Sequence, residues 1–182
     1  MGRFTTTITE HVQEQNINSW PTSFPKPIIG LERNGVIIED SIKTISSLDQ
    51  INFIPGSIEA IHTMRMKGYK VAIIYDESGI QKGKVTIQQI NKIHQYILQE
   101  FGNNGILSIE GILFSSGNDI YTKPNTGMLQ LLQSEPNSNI DWKKGWFVGH
   151  NLKDAEVAIN VGATPVILKT GNGQKTLKKM ET

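Results

Sequence analysis

Five short apolar runs, separated by helix-patterned segments, limit what this chain can fold into. They are Ile28–Leu31, Lys70–Tyr75, Ile109–Phe114, Trp146–Gly149 and Thr164–Leu168. Successive positions are apolar in most of them, so both faces are expected to be buried, as in the strands of a parallel sheet. The first helix is expected after Pro55-Gly56-Ser57, with Ser57 as N-cap, Glu59 in the first turn and Gly68 at its end. The segment from Thr86 to Phe101 carries Ile90, Ile93, Ile97, Leu98 and Phe101 at helical spacing, the pattern of a core-facing stripe. Gly127 to Gln133 and Lys153 to Val161 read as shorter helices. Strands alternating with helices predict an α/β fold, a mostly parallel sheet flanked by helices. Such sheets bind ligands beyond the carboxyl ends of their strands, so the loops after Leu31, Tyr75, Phe114 and Val148 are the places to look for chemistry.

The 182 residues suit one domain with an arm. Residues 1–27 are polar, end in Pro21, Pro25 and Pro27, and read as an extended arm, with Trp20 and Phe24 as anchors on the body or on a protein partner. Residues 28–171 form the expected domain, and 172–182 a basic polar tail whose Lys175, Lys178 and Lys179 would meet an acidic partner or RNA if they meet anything. A net charge of +1 gives no global field favouring nucleic acid or an anionic membrane. Cysteine is absent, which excludes disulfides and cysteine-ligated zinc. No apolar run approaches a membrane span. The expected setting is intracellular and reducing, in cytoplasm or an organelle matrix.

The strand-end loops carry four motifs in order. They are Glu32-Arg33-Asn34-Gly35-Val36-Ile37, Tyr75-Asp76-Glu77-Ser78-Gly79-Ile80, Thr122-Lys123-Pro124-Asn125-Thr126-Gly127-Met128 and Val148-Gly149-His150-Asn151-Leu152-Lys153-Asp154. Together they resemble the haloacid-dehalogenase (HAD) superfamily, most closely its heptose-bisphosphate and histidinol-phosphate phosphatase branch. The motifs of that branch read Asp-Arg-Asp-Gly, Thr-Asn-Gln-Ser-Gly-Ile, Arg-Lys-Pro-x-x-Gly-Met and Val-Gly-Asp-x-x-x-Asp. The resemblance implies a three-layer Rossmann-like (HAD-like) sheet over roughly residues 27–171.

The resemblance also implies roles. In the family the first aspartate attacks phosphorus and the second carries the proton; here Glu32 and Asn34 stand in their places. Glutamate sets its carboxylate about one methylene further out, and an error of about 1 Å can cost about a hundredfold. An amide cannot shuttle a proton in this range. Tyr75 stands where a phosphate-binding hydroxyl is expected, and His150 where an acid helps hold Mg²⁺. Lys123 and Asp154 match, and Lys123 is the residual phosphate-binding position, with an ion pair to Glu32 or Asp154 as its structural role. The cysteine-rich zinc loop of the branch is replaced by a short Ser115-Ser116-Gly117-Asn118-Asp119 link. Asp76 and Glu77 are either solvated loop charges or new carboxylates that rebuild a cation site with Glu32 and Asp154.

Losses at Glu32, Asn34, Tyr75 and His150 lead to the expectation of a catalytically inactive pseudophosphatase, with no cofactor or metal. It would serve as a structural or interaction subunit of a larger assembly such as an organellar ribosome. The alternative is an active Mg²⁺-dependent phosphatase on a small sugar phosphate or histidinol-phosphate-like substrate, with Glu32 as nucleophile and Glu77 as replacement proton carrier.

Overall fold

The computed structural model describes residues 25–41, 43–136 and 138–181. The arm expected over residues 1–27 lies, up to residue 24, outside the described residues. Five strands, β1 (Lys26–Leu31), β2 (Lys70–Asp76), β3 (Gly111–Ser115), β4 (Ile140–Gly149) and β5 (Thr164–Ile167), form one parallel sheet in the order β3-β2-β1-β4-β5. The helices are α1 (Ser57–Met66), α2 (Ile87–Asn103), α3 (Gly127–Ser134), α4 (Leu152–Val161) and α5 (Gly173–Met180). This is the three-layer Rossmann-like α/β architecture expected from the alternating runs.

Strand side chains alternate between faces, and two cores result. Ile29, Leu31, Val71, Ile73, Ile112 and Phe114 pack with the Ile90, Ile93, Ile97 and Phe101 stripe of α2 and with Ile61 of α1. Ile28, Ala72, Ile74 and Leu113 pack with Met128, Leu129 and Leu132 of α3 and with Val157 and Ala158 of α4. The α2 stripe begins at a capping box, in which the Gln89 backbone N–H donates to Thr86 Oγ1 and the Thr86 N–H donates to Gln89 Oε1.

Three local expectations change. The N-cap of α1 is Gly56, at φ 82°, rather than Ser57. The Ser57 hydroxyl instead donates to the Ile37 carbonyl at 3.0 Å, tying α1 to the loop after β1. Strand β4 begins at Ile140, six residues before the apolar run, because its first half pairs with Lys26 and Pro27 of β1 while Lys143 and Lys144 stay in water. Residues 173–180, expected in a polar tail, form α5, with Gly173 and Thr176 buried. Among the described residues no helix is long and apolar enough to cross a membrane.

The strand order places the winding reversal between β1 and β4, where Leu31 pairs with Val148. Glu32 and His150 therefore leave the sheet side by side, at the topological switch point where open α/β sheets bind ligands.

Trp142 tests the core beneath that point: it is buried, and its Nε1–H donates to the Leu129 carbonyl at 2.9 Å. Trp142→Ala is expected to cost about 3–5 kcal/mol of unfolding free energy in urea titrations, since it leaves a cavity and removes a buried hydrogen bond.

Candidate active site

Glu32 is anchored by its own backbone, whose N–H donates to the Val148 carbonyl at 2.9 Å. One carboxylate oxygen, Oε1, accepts the Arg33 backbone N–H at 3.0 Å; the other meets Lys123 Nζ. Lys123 Nζ also meets Asp154 Oδ1, so one buried ammonium bridges two buried carboxylates, one on the loop after β1 and one in the first turn of α4. The second Asp154 oxygen accepts the backbone N–H groups of His150, at 3.0 Å, and Asn151, at 2.9 Å. Gly149 is required beside it, because a Cβ there would lie 2.2 Å from Asp154 Cβ. Asp76, at the end of β2, joins the same cavity and accepts the Lys123 backbone N–H at 3.2 Å.

The electrostatics follow from three carboxylates facing one ammonium. Burial pushes Glu32 up to about 8, opposed by Lys123 and reinforced by Asp154. Burial also raises Asp76, against the pull of Lys123. Asp154 is held below the ordinary range: burial would raise it, but Lys123 and two backbone N–H donors outweigh that effect. Burial alone would lower Lys123, yet Glu32, Asp154 and Asp76 together raise it. Lys123 is thus a fixed cation, and the protons of the cluster sit on Glu32 and Asp76 before Asp154.

A second buried network lies beneath. The Arg33 guanidinium pairs with Glu77 at 2.8 Å, sits 3.9 Å over the Tyr75 ring, and donates through Nε to Asn34 Oδ1 at 2.8 Å. The Tyr75 hydroxyl is bonded to His94 Nε2 at 2.8 Å, where burial holds the imidazole down to about 3 and hence neutral. Although Tyr75 lines the cavity, its hydroxyl is committed to His94. Asn34 has its carbonyl oxygen occupied, which leaves its NH₂ as the side-chain group available to the cavity.

His150 is buried, and both ring nitrogens are engaged. The Asn172 backbone N–H donates to Nδ1 at 2.9 Å, and the Asn151 amide lies 3.0 Å from Nε2. Burial lowers its pKa. The ring packs under Gly35, whose φ of 75° and 2.8 Å clearance leave no room for a side chain.

Sequence reasoning thus identified Glu32, Lys123 and Asp154, which the fold brings together, and Asp76, which joins them. Lys123 pairs with both candidate acids. Glu77 is neither a solvated loop charge nor a cavity acid; it is buried against Arg33. Reading the chain alone passed over Arg33 as a filler between Glu32 and Asn34. It placed Lys175 and Lys179 in a solvated tail facing an acidic partner or RNA, whereas both line the cavity from α5, and their four-residue spacing was the available signal.

The comparisons fit this geometry. The family described as polynucleotide kinase 3 phosphatase matches residues 34–163. The chain belongs to it. It is 34% identical over 153 residues to a Pseudomonas putida protein named D-glycero-beta-D-manno-heptose-1,7-bisphosphate 7-phosphatase, covering 82% of this chain and 86% of the relative. A Neisseria meningitidis protein of the same name is 31% identical over 160 residues, covering 84% of this chain and 82% of the relative. The crystal structure of D,D-heptose 1,7-bisphosphate phosphatase from B. bronchiseptica, complexed with magnesium and phosphate, superposes with a TM-score of 0.76 at 28% identity, covering 85% of this chain and 86% of that one. The HAD resemblance and the phosphatase branch are therefore sound.

These relatives overturn the expectation of an inactive structural subunit: proteins 28–34% identical over most of the chain are named as phosphatases. The expectation that no cofactor is needed loses its support as well, since a relative's structure holds magnesium and phosphate. The physical weakness of the inactive reading was to weigh each altered position separately. Glu32 keeps a carboxylate oxygen on Lys123, and Asp76 adds a carboxylate to the cavity.

Lys123→Met is expected to strand two buried carboxylates and destabilise the fold by about 3–5 kcal/mol in urea unfolding. Adding Glu32→Gln should recover much of that loss, because Asp154 retains its two backbone donors.

Proposed function

We propose that this protein is a Mg²⁺-dependent phosphomonoester hydrolase acting on a small phosphorylated sugar, the substrate class in its relatives' names. The observation that carries this reading is the Lys123 ammonium set between the Glu32 and Asp154 carboxylates, at the switch point and beneath an open cavity.

The donor set suits Mg²⁺ on chemical grounds. Glu32 offers a hard oxygen, and with Asp76 and Asp154 it sets three carboxylates against the one Lys123 ammonium. Asp154 is already committed to Lys123 and two N–H groups. Among the described residues, no three His, Cys, Asp or Glu side chains are grouped to hold a metal alone. Mg²⁺ does not need such a cage: it keeps several waters and takes one or two carboxylates plus substrate phosphate. Glu32 is the residue that would hold it, together with substrate phosphate and waters, which leaves Asp76 to carry the proton; bound there it would neutralise phosphoryl charge.

The protein's own groups supply the steps. A Glu32 oxygen attacks phosphorus, a glutamyl phosphate forms, and the bond to the sugar oxygen breaks. Asp76, with its raised pKa, gives its proton to that oxygen; Glu77 is excluded from this role by its pairing with Arg33. Water then attacks phosphorus and passes a proton to Asp76, which releases phosphate and restores the Glu32 carboxylate. Lys123 stabilises the developing phosphoryl charge, and the Asn34 NH₂, oriented by Arg33, donates a hydrogen bond to it.

Phosphate release from a panel of sugar phosphates with Mg²⁺ tests the assignment. Glu32→Gln and Lys123→Met should each lower kcat by about a hundredfold or more. Failure of the wild type on every sugar phosphate, or activity retained in Glu32→Gln, would overturn it.

The pH dependence follows from the shared protons. One carboxylate must be ionised to attack while another holds the proton, so kcat/KM against pH should be bell-shaped, with apparent pKa values belonging to the cluster. Glu32 must lose its proton to attack, so the value of about 8 to which burial raises it bears on the ascending limb, and loss of the Asp76 proton gives the descending one. Asp76→Asn should abolish that limb along with most of the activity.

A further inference from the structure

The cavity over the carboxylate cluster has a volume of about 740 Å³. Its lining comes from the loop after β1, the end of β2, Lys123 and the start of α4. The remaining side is made by Asn172, Lys175, Thr176 and Lys179, at and within α5. None of Ser115 to Thr122 belongs to the lining. The link after β3, which stands where the resembled branch carries its zinc loop, therefore supplies no wall, and the C-terminal helix supplies one instead.

Helix α5 has little of its own to hold it there. It spans 8 residues, Gly173–Met180, too few to persist on propensity alone. His150 is what fastens it. The Asn172 N–H donates to His150 Nδ1 at 2.9 Å, and Thr176 Oγ1 donates to the His150 carbonyl at 2.8 Å. The lead-in to the helix runs close against the ring: Gly171 has φ 52°, and a Cβ there would lie 2.3 Å from Nδ1. On its other side the ring meets Gly35 of the first motif, where a Cβ would lie 2.8 Å from it, and Thr170 Oγ1 donates to the Gly35 carbonyl. His150 is thus wedged between the loop that carries Glu32 and the segment that enters α5.

The ring's hydrogen bonds explain what it is doing there. A backbone N–H is a fixed donor, so Nδ1 must accept, and its lone pair is spent on Asn172. The Asn151 amide covers Nε2 at 3.0 Å. Neither ring nitrogen is open to a metal, although the resembled motif has a Mg²⁺-holding acid at this position.

We propose that His150 is a positioning residue: it holds α5 against the site, so that Lys175 and Lys179 form the wall that meets the sugar part of a ligand bound over Lys123. This rests on the phosphatase reading for the class of ligand, while the docking of the helix does not depend on turnover. His150 acts through α5 and leaves the phosphoryl group to the floor. A position that holds a metal in the resembled motif holds a wall of the cavity here.

The test uses calorimetry and amide hydrogen exchange in Mg²⁺ buffer, on Asp76→Asn protein, which keeps Glu32 for the metal and slows turnover of the ester. His150→Leu puts a methyl group where Nδ1 stands, His150→Asn keeps an acceptor there, and Gly171→Ala pushes the lead-in off an unaltered ring. Fructose 6-phosphate is expected to bind about tenfold more weakly in His150→Leu and in Gly171→Ala, and within about twofold of the parent in His150→Asn. Inorganic phosphate, small enough for the floor alone, should change by less than about twofold in all three. Exchange at amides 172–180 should quicken about tenfold in the first two variants and stay slow in the third, with β1 and α2 unaffected. Lys175→Gln with Lys179→Gln should weaken fructose 6-phosphate by itself, yet add little to His150→Leu, because the wall has already left. Unchanged fructose 6-phosphate binding despite faster α5 exchange, an equal loss of inorganic phosphate, full additivity, or the same behaviour in His150→Leu and His150→Asn would each overturn the proposal. If His150→Leu does not fold, Gly171→Ala decides by the same readings. Absence of phosphate release from the wild type, with these binding differences intact, would overturn the phosphatase reading alone.

Discussion

The site depends on one buried ammonium. Lys123 reaches the switch point from the loop after β3 and touches carboxylates from the loop after β1 and from α4. A buried cation is costly to desolvate and is tolerated only when its partners are well placed. Those partners are positioned by backbone: Glu32 by its N–H on Val148, Asp154 by the N–H groups of His150 and Asn151, and Lys123 by its own N–H on Asp76. Each strand end contributes a main-chain bond that aims a side chain at the same point. The charge cluster therefore also fixes the relative positions of four loops, and the parallel sheet is the frame that lets it do so.

The Arg33 network shows how neighbouring residues alter roles that position alone would assign. Tyr75 stands where a phosphate-binding hydroxyl is expected, yet its oxygen is drawn toward His94 and its ring lies under a guanidinium. Asn34 stands where an acid is expected, and the same guanidinium fixes its amide orientation. Glu77 neutralises Arg33, which frees the cavity from that positive charge. One arginine thus places the second-motif glutamate beneath the cavity and the tyrosine ring and first-motif amide in its lining.

The fold was legible because its signals are local. The apolar run at Lys70–Tyr75 and the spacing of Ile90, Ile93, Ile97 and Phe101 each record burial directly, and they became β2 and the inner face of α2. The candidate site was legible only in part. Glu32, Lys123 and Asp154 were found because each follows a strand run within a recognisable motif. The Arg33–Glu77 pair spans 44 residues, and no local pattern encodes such a pairing. Helix α5 was missed for a different reason: its lysines and glutamine read as solvated, and its order comes from buried Gly173 and Thr176 against His150. The short apolar content of 173–180 hid a helix that tertiary contacts, rather than propensity, hold in place.

Charge accounting explains why four altered motif positions do not add up to a dead site. The resembled motifs bring two aspartates from the first loop and two from the fourth. Here Asn34 and His150 each remove one, while Asp76 adds one back, so three carboxylates remain around Lys123. The floor then carries an excess of two negative charges when fully ionised, the charge that one Mg²⁺ cancels. Without that dication the excess is relieved by protons, and burial raises Glu32 and Asp76 accordingly. A neutral His150, held by Asn172 and Asn151, adds no charge to either state. The substitutions therefore shift where the negative charge sits, from the fourth loop toward the end of β2, while keeping an amount that a dication and a phosphate ester can use.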